Sequence, residues 1–378
     1  LFSREFRKAW QVSNSRSRTR SGVAVLVATL CALSLLLAAC GSSSSSSGAT
    51  GATLAVADLP TSDPVTVRLG YFPNVTHAPA LVGVQEGLFT KELDPLGAKL
   101  ETKTFNAGPE ATEALFSDAL DVTYIGPNPA VNAFQKSNGE AVRIIAGSTS
   151  GGAKFVVKPE INSTADLEGK VVASPQLGNT QDVALRTWLA DQGLTTDTSG
   201  GGDVSVKPQA NADTLASFQS GDIAGAWVPT PWDTRLVTEG GGKVLVDEAS
   251  LWPEGRFATT VVLVRAKFLQ QHPAAVAAIL RGHIASITAI EADPAAAQKA
   301  ANAEIEAVTG RPLKESLIAS SFDELTFTFN PLALTVKQSA DDAVKLGLTK
   351  EYDITGLFQL GLLNQILQAD GKDAVAGL

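Results

Sequence analysis

A chain of 378 residues that is 44% hydrophobic and 18% charged is too apolar for disorder and long enough for about two domains. Its 30 basic against 39 acidic side chains, a formal net charge of −9, argue against a nucleic-acid binder, because the basic groups cluster only near the start, at Arg4, Arg7, Lys8, Arg16, Arg18 and Arg20. Three His (His77, His272, His283) and two Cys (Cys31, Cys40) stand at no metal-ligand spacing, which speaks against a His/Cys metal enzyme; no metal and no cofactor is expected.

The basic run leads into the uncharged stretch GVAVLVATLCALSLLLAAC, from Gly22 to Cys40, and then into GSSSSSSGATGAT, from Gly41 to Thr53. Basic, then apolar, then small residues is the order of a secretory signal. Leu37-Ala38-Ala39-Cys40 resembles the lipobox of bacterial lipoproteins, which implies a diacylated Cys40 as first mature residue. A permanent membrane helix competes, since the apolar stretch just reaches across a bilayer, but the small residues before Cys40 and the Ser tract after it favour cleavage. Residues 1–39 are thus expected to be a signal peptide and 40–64 a lipidated, flexible tether. The body would sit at the outer face of the plasma membrane, or in a periplasm where there is an outer membrane. Cys31 leaves with the signal and Cys40 takes lipid, so no disulfide supports the body.

From Thr66 onward, β-branched runs alternate with helix-length amphipathic segments. Strands are expected at 66–72, 99–105, 121–126, 142–148, 154–159, 170–175, 204–209, 225–229, 243–249 and 259–265, an alternation that predicts an α/β fold with mostly parallel sheets. After Arg265 the pattern is helical, with Pro273, Pro294 and Pro312 near helix starts, and no further strand is expected.

Ligands of wound α/β sheets bind beyond the carboxyl ends of strands, where loops enter helices, so those junctions are the candidate site. After the first strand come Asn74, Thr76 and His77, with Thr76 or His77 as helix cap before Pro79. Gly126-Pro127-Asn128-Pro129 offers Asn128 as a cap; Gly178-Asn179-Thr180-Gln181 offers a turn with Asn179 as cap and Asp182 close to capping-box spacing; Thr230 is the cap expected before Trp232. Such ends present backbone N–H groups and short polar side chains to an anion. A helix end contributes ~0.3–1 kcal/mol and a hydrogen bond to a charged group ~1.5–3 kcal/mol, so several together hold a small oxyanion without Lys or Arg. Ordinary capping competes with that reading at every one of these positions. Trp227 and Trp232 either fill the core or wall a pocket. His77 is the one titratable group at a strand end that could act as a base near neutral pH, and a capping His is more often structural. No nucleophile or nucleotide motif stands nearby, so no catalytic residue is assigned.

The segments RLGYFPNVTHAPALVGVQEGLF (68–89), FNAGPEATEALFSDALDVTYIGPNPAVNAF (105–134), DLEGKVVASPQLGNTQDVALRTWL (166–189) and FQSGDIAGAWVPTPWDTRLVTEGGGKVLVD (218–247) are similar to those of the sulfonate, taurine and nitrate substrate-binding proteins of ABC importers. The resemblance runs in order over about residues 65–270. It implies a two-lobed periplasmic-binding-protein fold of type II, each lobe a mostly parallel sheet flanked by helices, with a helical C-terminal part. Lobe I would comprise 65–149 and 260–378 and lobe II 150–259, with crossings near Ser148–Gly152 and Arg256–Thr260. The implied ligand is a small oxyanion, first an aliphatic sulfonate, with taurine, nitrate or a thiamine-pyrimidine precursor as alternatives. Its implied contacts are Asn74, Thr76, Gly126, Asn128, Gly178, Asn179, Thr180, Gln181, Trp227 and Trp232, and Lys154 either brings a cation to the cleft or is solvated. The implied partners are an ABC permease and, through Cys40, the membrane; the protein would be a monomer and not an enzyme. A biosynthetic enzyme on the same fold is the other reading, and a secretory signal argues against it. Two departures lie at the implied ligand: GNTQ where sulfonate binders carry a Ser-rich loop, and Pro127-Asn128-Pro129 where they carry paired Pro.

Overall fold

The computed structural model describes Leu59 and residues 64–378; the expected signal peptide, Cys40 and nearly all of the tether lie outside these residues. The strands are β1 (Thr66–Tyr71), β2 (Lys99–Thr104), β3 (Val122–Ile125), β4 (Val142–Gly151), β5 (Ala153–Val157), β6 (Val171–Ser174), β7 (Ser205–Pro208), β8 (Gly225–Pro229), β9 (Lys243–Asp247), β10 (Ala258–Arg265) and β11 (Leu325–Phe327). They form two sheets, β11-β4-β10-β3-β1-β2 and β7-β6-β8-β5-β9, each flanked by helices. Burial follows position: β3 and β8, inside their sheets, are buried throughout, whereas the edge strand β2, KLETKT, has no fully buried residue and leaves Lys99 and Glu101 exposed.

Successive strand residues feed opposite faces, so each sheet has two apolar clusters. In the first, Leu69, Tyr71, Tyr124 and Val262 pack with the long helix Pro273–Ala292, while Ile125, Ile144, Val261 and Leu263 pack under the helices Pro127–Lys136 and Ala333–Lys345. In the second, Phe155, Val172 and Trp227 face the helix Thr180–Asp191, and Val156, Ala226 and Val228 face Asn211–Ser220 and Trp232–Thr238. The helix Pro273–Ala292 is apolar enough to span a membrane by composition, but its most apolar window is 67% buried and it serves here as a core helix.

The expected parallel order is corrected in part. β1 pairs in parallel with β2 and β3, and β6 with β7 and β8, but β10 is antiparallel to β3 and β4, and β5 is antiparallel to β8 and β9. The reason is connectivity: β5 and β10 each enter a sheet from the other one, so they run against the strands whose carboxyl ends point back. The first crossing is made by Gly151 and Gly152, with φ of 86° and 72°, a left-handed conformation that favours glycine. β11 is a strand in the region read as purely helical; its three residues pair with Thr149–Gly151 of β4.

Candidate functional site

A crevice between the two sheet bodies is lined by Phe72, Asn74, Thr76, His77, Asn106, Gly126, Pro175, Asn179, Gln181, Asn211, Pro229 and Thr259. Nearly all of these residues follow the carboxyl ends of β1, β2, β3, β6, β7 and β8, where a wound sheet binds its ligand. The space is small, ≈ 20 Å³, which suits a compact group. A larger hollow of ≈ 680 Å³, between the helix Thr180–Asp191 and the helix Ala333–Lys345, contains none of the predicted site residues.

The loop after β1 is fixed by its backbone. The Thr76 carbonyl accepts from Thr149 Oγ1 at 2.7 Å and from Thr260 Oγ1 at 3.0 Å. The Phe72 N–H donates to His77 Nδ1 at 3.3 Å, and the two rings lie 4.4 Å apart. Because Nδ1 accepts, the ring proton resides on Nε2. Burial lowers the His77 pKa to about 3, so at neutral pH it is a neutral donor and far too weak a base for proton abstraction.

On the facing body, Asn179 caps the helix Thr180–Asp191 as expected, its Oδ1 accepting from the Thr180 N–H at 2.9 Å. Asp182 reaches back to the Gly178 N–H at 2.9 Å, and also accepts from Ser174 Oγ at 2.5 Å and Arg186 Nε at 3.1 Å. That buried carboxylate shapes the 175–181 loop.

Several contacts bridge the two bodies. Trp232 Nε1 donates to Asn74 Oδ1 at 2.9 Å, and Gln176 Nε2 donates to Glu110 Oε1 at 2.6 Å. A Cβ on Gly126 would stand 2.4 Å from Thr180 Oγ1, so glycine is what lets the helix start at Thr180 approach. The Thr180 hydroxyl, Asn211 Oδ1 and Thr230 Oγ1 are buried without a hydrogen-bond partner.

Of the predicted contacts, Asn74, Thr76, Gly126, Asn179 and Gln181 line the crevice; Gly178, Thr180, Asn128, Trp227 and Trp232 do not. Asn128 is not a cap: Pro127 opens its helix, where the missing N–H costs nothing, and Gly126 takes the cap position. The Asn128 amide instead pairs with the helix Ala333–Lys345, accepting from Ser339 Oγ at 2.6 Å and donating to the Ser339 carbonyl at 3.1 Å. Thr230 is likewise not a cap, since Pro231 takes that position before Trp232. Trp227 is fully buried, stacked 5.6 Å from Phe155, with its N–H on Glu248 Oε2 at 2.7 Å. It faces the core because β8 turns alternate residues to opposite faces. Trp232 meets the crevice lining through its hydrogen bond to Asn74. Lys154 is neither a cleft cation nor solvated: it pairs with Glu324 and lies 3.7 Å from Asp233. Burial opposes its charge, but the Glu324 hydrogen bond together with the negative charges of Asp233, Glu324 and Asp247 outweighs this and its pKa is raised. Asn106, Asn211 and Thr259 also line the crevice and are not among the expected contacts, although Asn106 and Asn211 follow β2 and β7 as Asn74 follows β1.

Several known proteins are similar to this chain in sequence or in fold. The chain is 29% identical over 223 residues to the taurine-binding periplasmic protein of Escherichia coli (strain K12), covering 58% of this chain and 65% of that one. It is 28% identical over 282 residues to the nitrate/nitrite binding protein NrtA of Synechococcus elongatus, covering 66% of this chain and 61% of that one. The chain thus spans less than two thirds of the length of these relatives. Among solved structures, the alkanesulfonate-binding protein SsuA from Xanthomonas axonopodis pv. citri bound to MOPS superposes with a TM-score of 0.64 at 20% identity, over 77% of this chain and 96% of that one. The periplasmic nitrate-binding protein NrtA from Synechocystis PCC 6803 does so with 0.66 at 15% identity, over 81% and 89%. The fold is that of the periplasmic binding proteins, two lobes with a crevice between them. A family model matches residues 61–305, across every strand but β11 and every loop that lines the crevice, and on that match the chain belongs to the NMT1-like family.

Proposed function

We propose that this chain is the solute-binding component of an ABC importer, closing its lobes on a small oxyanion, an aliphatic sulfonate or nitrate, and delivering it to a membrane permease. The observation that carries this reading is the direction of the donors. Asn74 and Asn179 have their amide oxygens engaged by Trp232 and Thr180, and His77 has Nδ1 engaged by Phe72. What each has left is a donor: two amide nitrogens and Nε2. Three uncommitted donors in a crevice lined by no Lys, Arg, Asp or Glu suit an anion with several acceptor oxygens and no need of a counter-charge. The same lining gives the ammonium of taurine no carboxylate, so taurine ranks below nitrate and simple alkanesulfonates.

In this proposal lobe I comprises 65–149 and 260–378, lobe II comprises 150–259, and the chain works as a monomer anchored through lipid on Cys40. Donors from both lobes meet the anion only when the lobes are closed, which is the differential affinity that drives closure. The test is a thermal-shift screen against nitrate, methanesulfonate, ethanesulfonate and taurine. Binding to the native state alone adds ~2.7 kcal/mol at a hundredfold excess over Kd. A rise with nitrate or the alkanesulfonates, larger than with taurine, is the expected result; no rise with any of them at millimolar concentration would refute the reading.

A further inference from the structure

We propose that Trp232 is a positioning residue for anion binding: its indole N–H, reaching from one lobe to Asn74 on the other, turns the Asn74 amide so that its NH2 group is presented to the crevice, and does so only when the lobes are closed. This rests on the oxyanion reading above.

A primary amide is nearly symmetric in shape, and half a turn about its last bond exchanges an acceptor for a donor. A site that needs the donor must bias that rotation. An indole nitrogen can only donate, so the 2.9 Å contact from Trp232 Nε1 requires the oxygen of Asn74 and leaves Nδ2 for the crevice. Each partner is anchored to its own lobe. The loop carrying Asn74 is held by the two threonine hydroxyls on the Thr76 carbonyl, and Asn74 itself is only 6% exposed. Trp232 opens the helix Trp232–Thr238, packed on the second sheet, with the Arg235 guanidinium 4.8 Å from its ring centroid. Arg235 is clamped in turn by Glu239, at 3.1 and 3.0 Å. Separation of the lobes therefore breaks this bond and frees the amide to rotate, so the donor is assembled at closure. Trp232 does not line the crevice, and its influence on an anion has to pass through Asn74.

The experiment compares wild type, Trp232→Phe, Asn74→Ala and the double variant, by calorimetric titration with nitrate and with methanesulfonate. Phe keeps an aromatic ring for Arg235 but removes the N–H together with part of the indole, and the double variant separates the two losses. Each single variant is expected to weaken binding about 10-fold, and the double variant to bind no more weakly than Asn74→Ala. In 15N-labelled protein with nitrate, the Trp232 indole proton is expected to exchange more slowly in wild type than in Asn74→Ala, a readout that needs no folded Trp232 variant. Wild-type affinity in Trp232→Phe overturns the proposal. So does a Trp232→Phe loss that persists undiminished in the Asn74→Ala background, which would mean the ring acts by packing, and so does an indole proton that exchanges equally fast in both proteins. If wild type takes neither anion, the oxyanion reading itself falls and takes this assignment with it, an outcome visible in the wild-type titration alone.

Discussion

Replacing Asp182 by Ala removes the acceptor around which the 175–181 loop is folded. Its carboxylate is fully buried and accepts from Ser174 Oγ, the Gly178 N–H and Arg186 Nε. Arg186 is 2% exposed; its Nη1 donates to the Asp197 carbonyl at 2.8 Å, while Nη2 is without a partner. Without Asp182 the guanidinium stays buried and loses its counter-charge. Breaking a buried ion pair from one side costs about 3–5 kcal/mol. For a body of about 315 residues, an unfolding entropy of ~2.1 cal/mol/K per residue makes each kcal/mol worth ~1.5 °C at the midpoint. The melting temperature of Asp182→Ala, followed by circular dichroism at pH 7, should therefore fall by ~5–7 °C. Adding Arg186→Met should restore most of this, because exchanging both charges for apolar groups is close to neutral. Anion affinity should stay low in that double variant, since the Gly178 N–H and Ser174 hydroxyl still lack their acceptor. A melting temperature within about 2 °C of wild type for Asp182→Ala would refute the argument that this carboxylate neutralises a buried charge.

Stability should be nearly flat between about pH 4.5 and 6.5, because two pairs of groups, three of them buried and Glu324 half-buried, act in opposite directions there. Burial lowers His77 and His283 to about 3 and about 4, so the stability they contribute is present above pH 6.5 and lost as pH falls toward those values; burial raises Glu248 and Glu324 to about 7, so theirs is present below pH 4.5 and lost as pH rises through 7. Glu248→Gln removes one falling component, and its melting temperature should climb from pH 5 to 7 where that of wild type does not; parallel profiles would show that Glu248 does not titrate in this range. Lys154→Met leaves Glu324 facing Asp233, and should destabilise by about 3 kcal/mol at pH 8 and by less at pH 5, where Glu324 holds a proton; chemical denaturation at the two pH values measures the difference. Gly147→Ala places a Cβ 2.1 Å from the Asn330 carbonyl oxygen, a backbone atom that cannot swing aside, and should cost about 3 kcal/mol in the same assay.

Each of the ten strands from 66 to 265 forms where a β-branched run stands in the sequence, because alternation between two buried faces is carried by contiguous residues. Strand direction is not local in that sense. β5 and β10 run against their neighbours because each arrives from the other sheet, a fact no run of eight residues contains. β11 is more extreme: Leu-Thr-Phe is a strand only because β4, about 175 residues earlier in the chain, offers it an edge. The site divides along the same line. Asn74, Asn179 and Gln181 are legible because the rule that ligands gather at strand ends needs only the strand and the next few residues; Asn106 and Asn211, which follow β2 and β7, obey the same rule. The two tryptophans were not separable in this way at the level of composition. They stand five positions apart, but Trp227 lies within β8 and points into one apolar cluster, while Trp232 opens a helix and reaches the other lobe. Most remote from the sequence is the polarity of the crevice. Asn74 is a donor there because Trp232, 158 residues away, takes its oxygen, and His77 is a donor because the Phe72 N–H takes Nδ1. An asparagine in a sequence carries both polarities at once. Only the fold, by consuming one of them, leaves a crevice lined with neutral side chains with the donors that the proposed oxyanion would need.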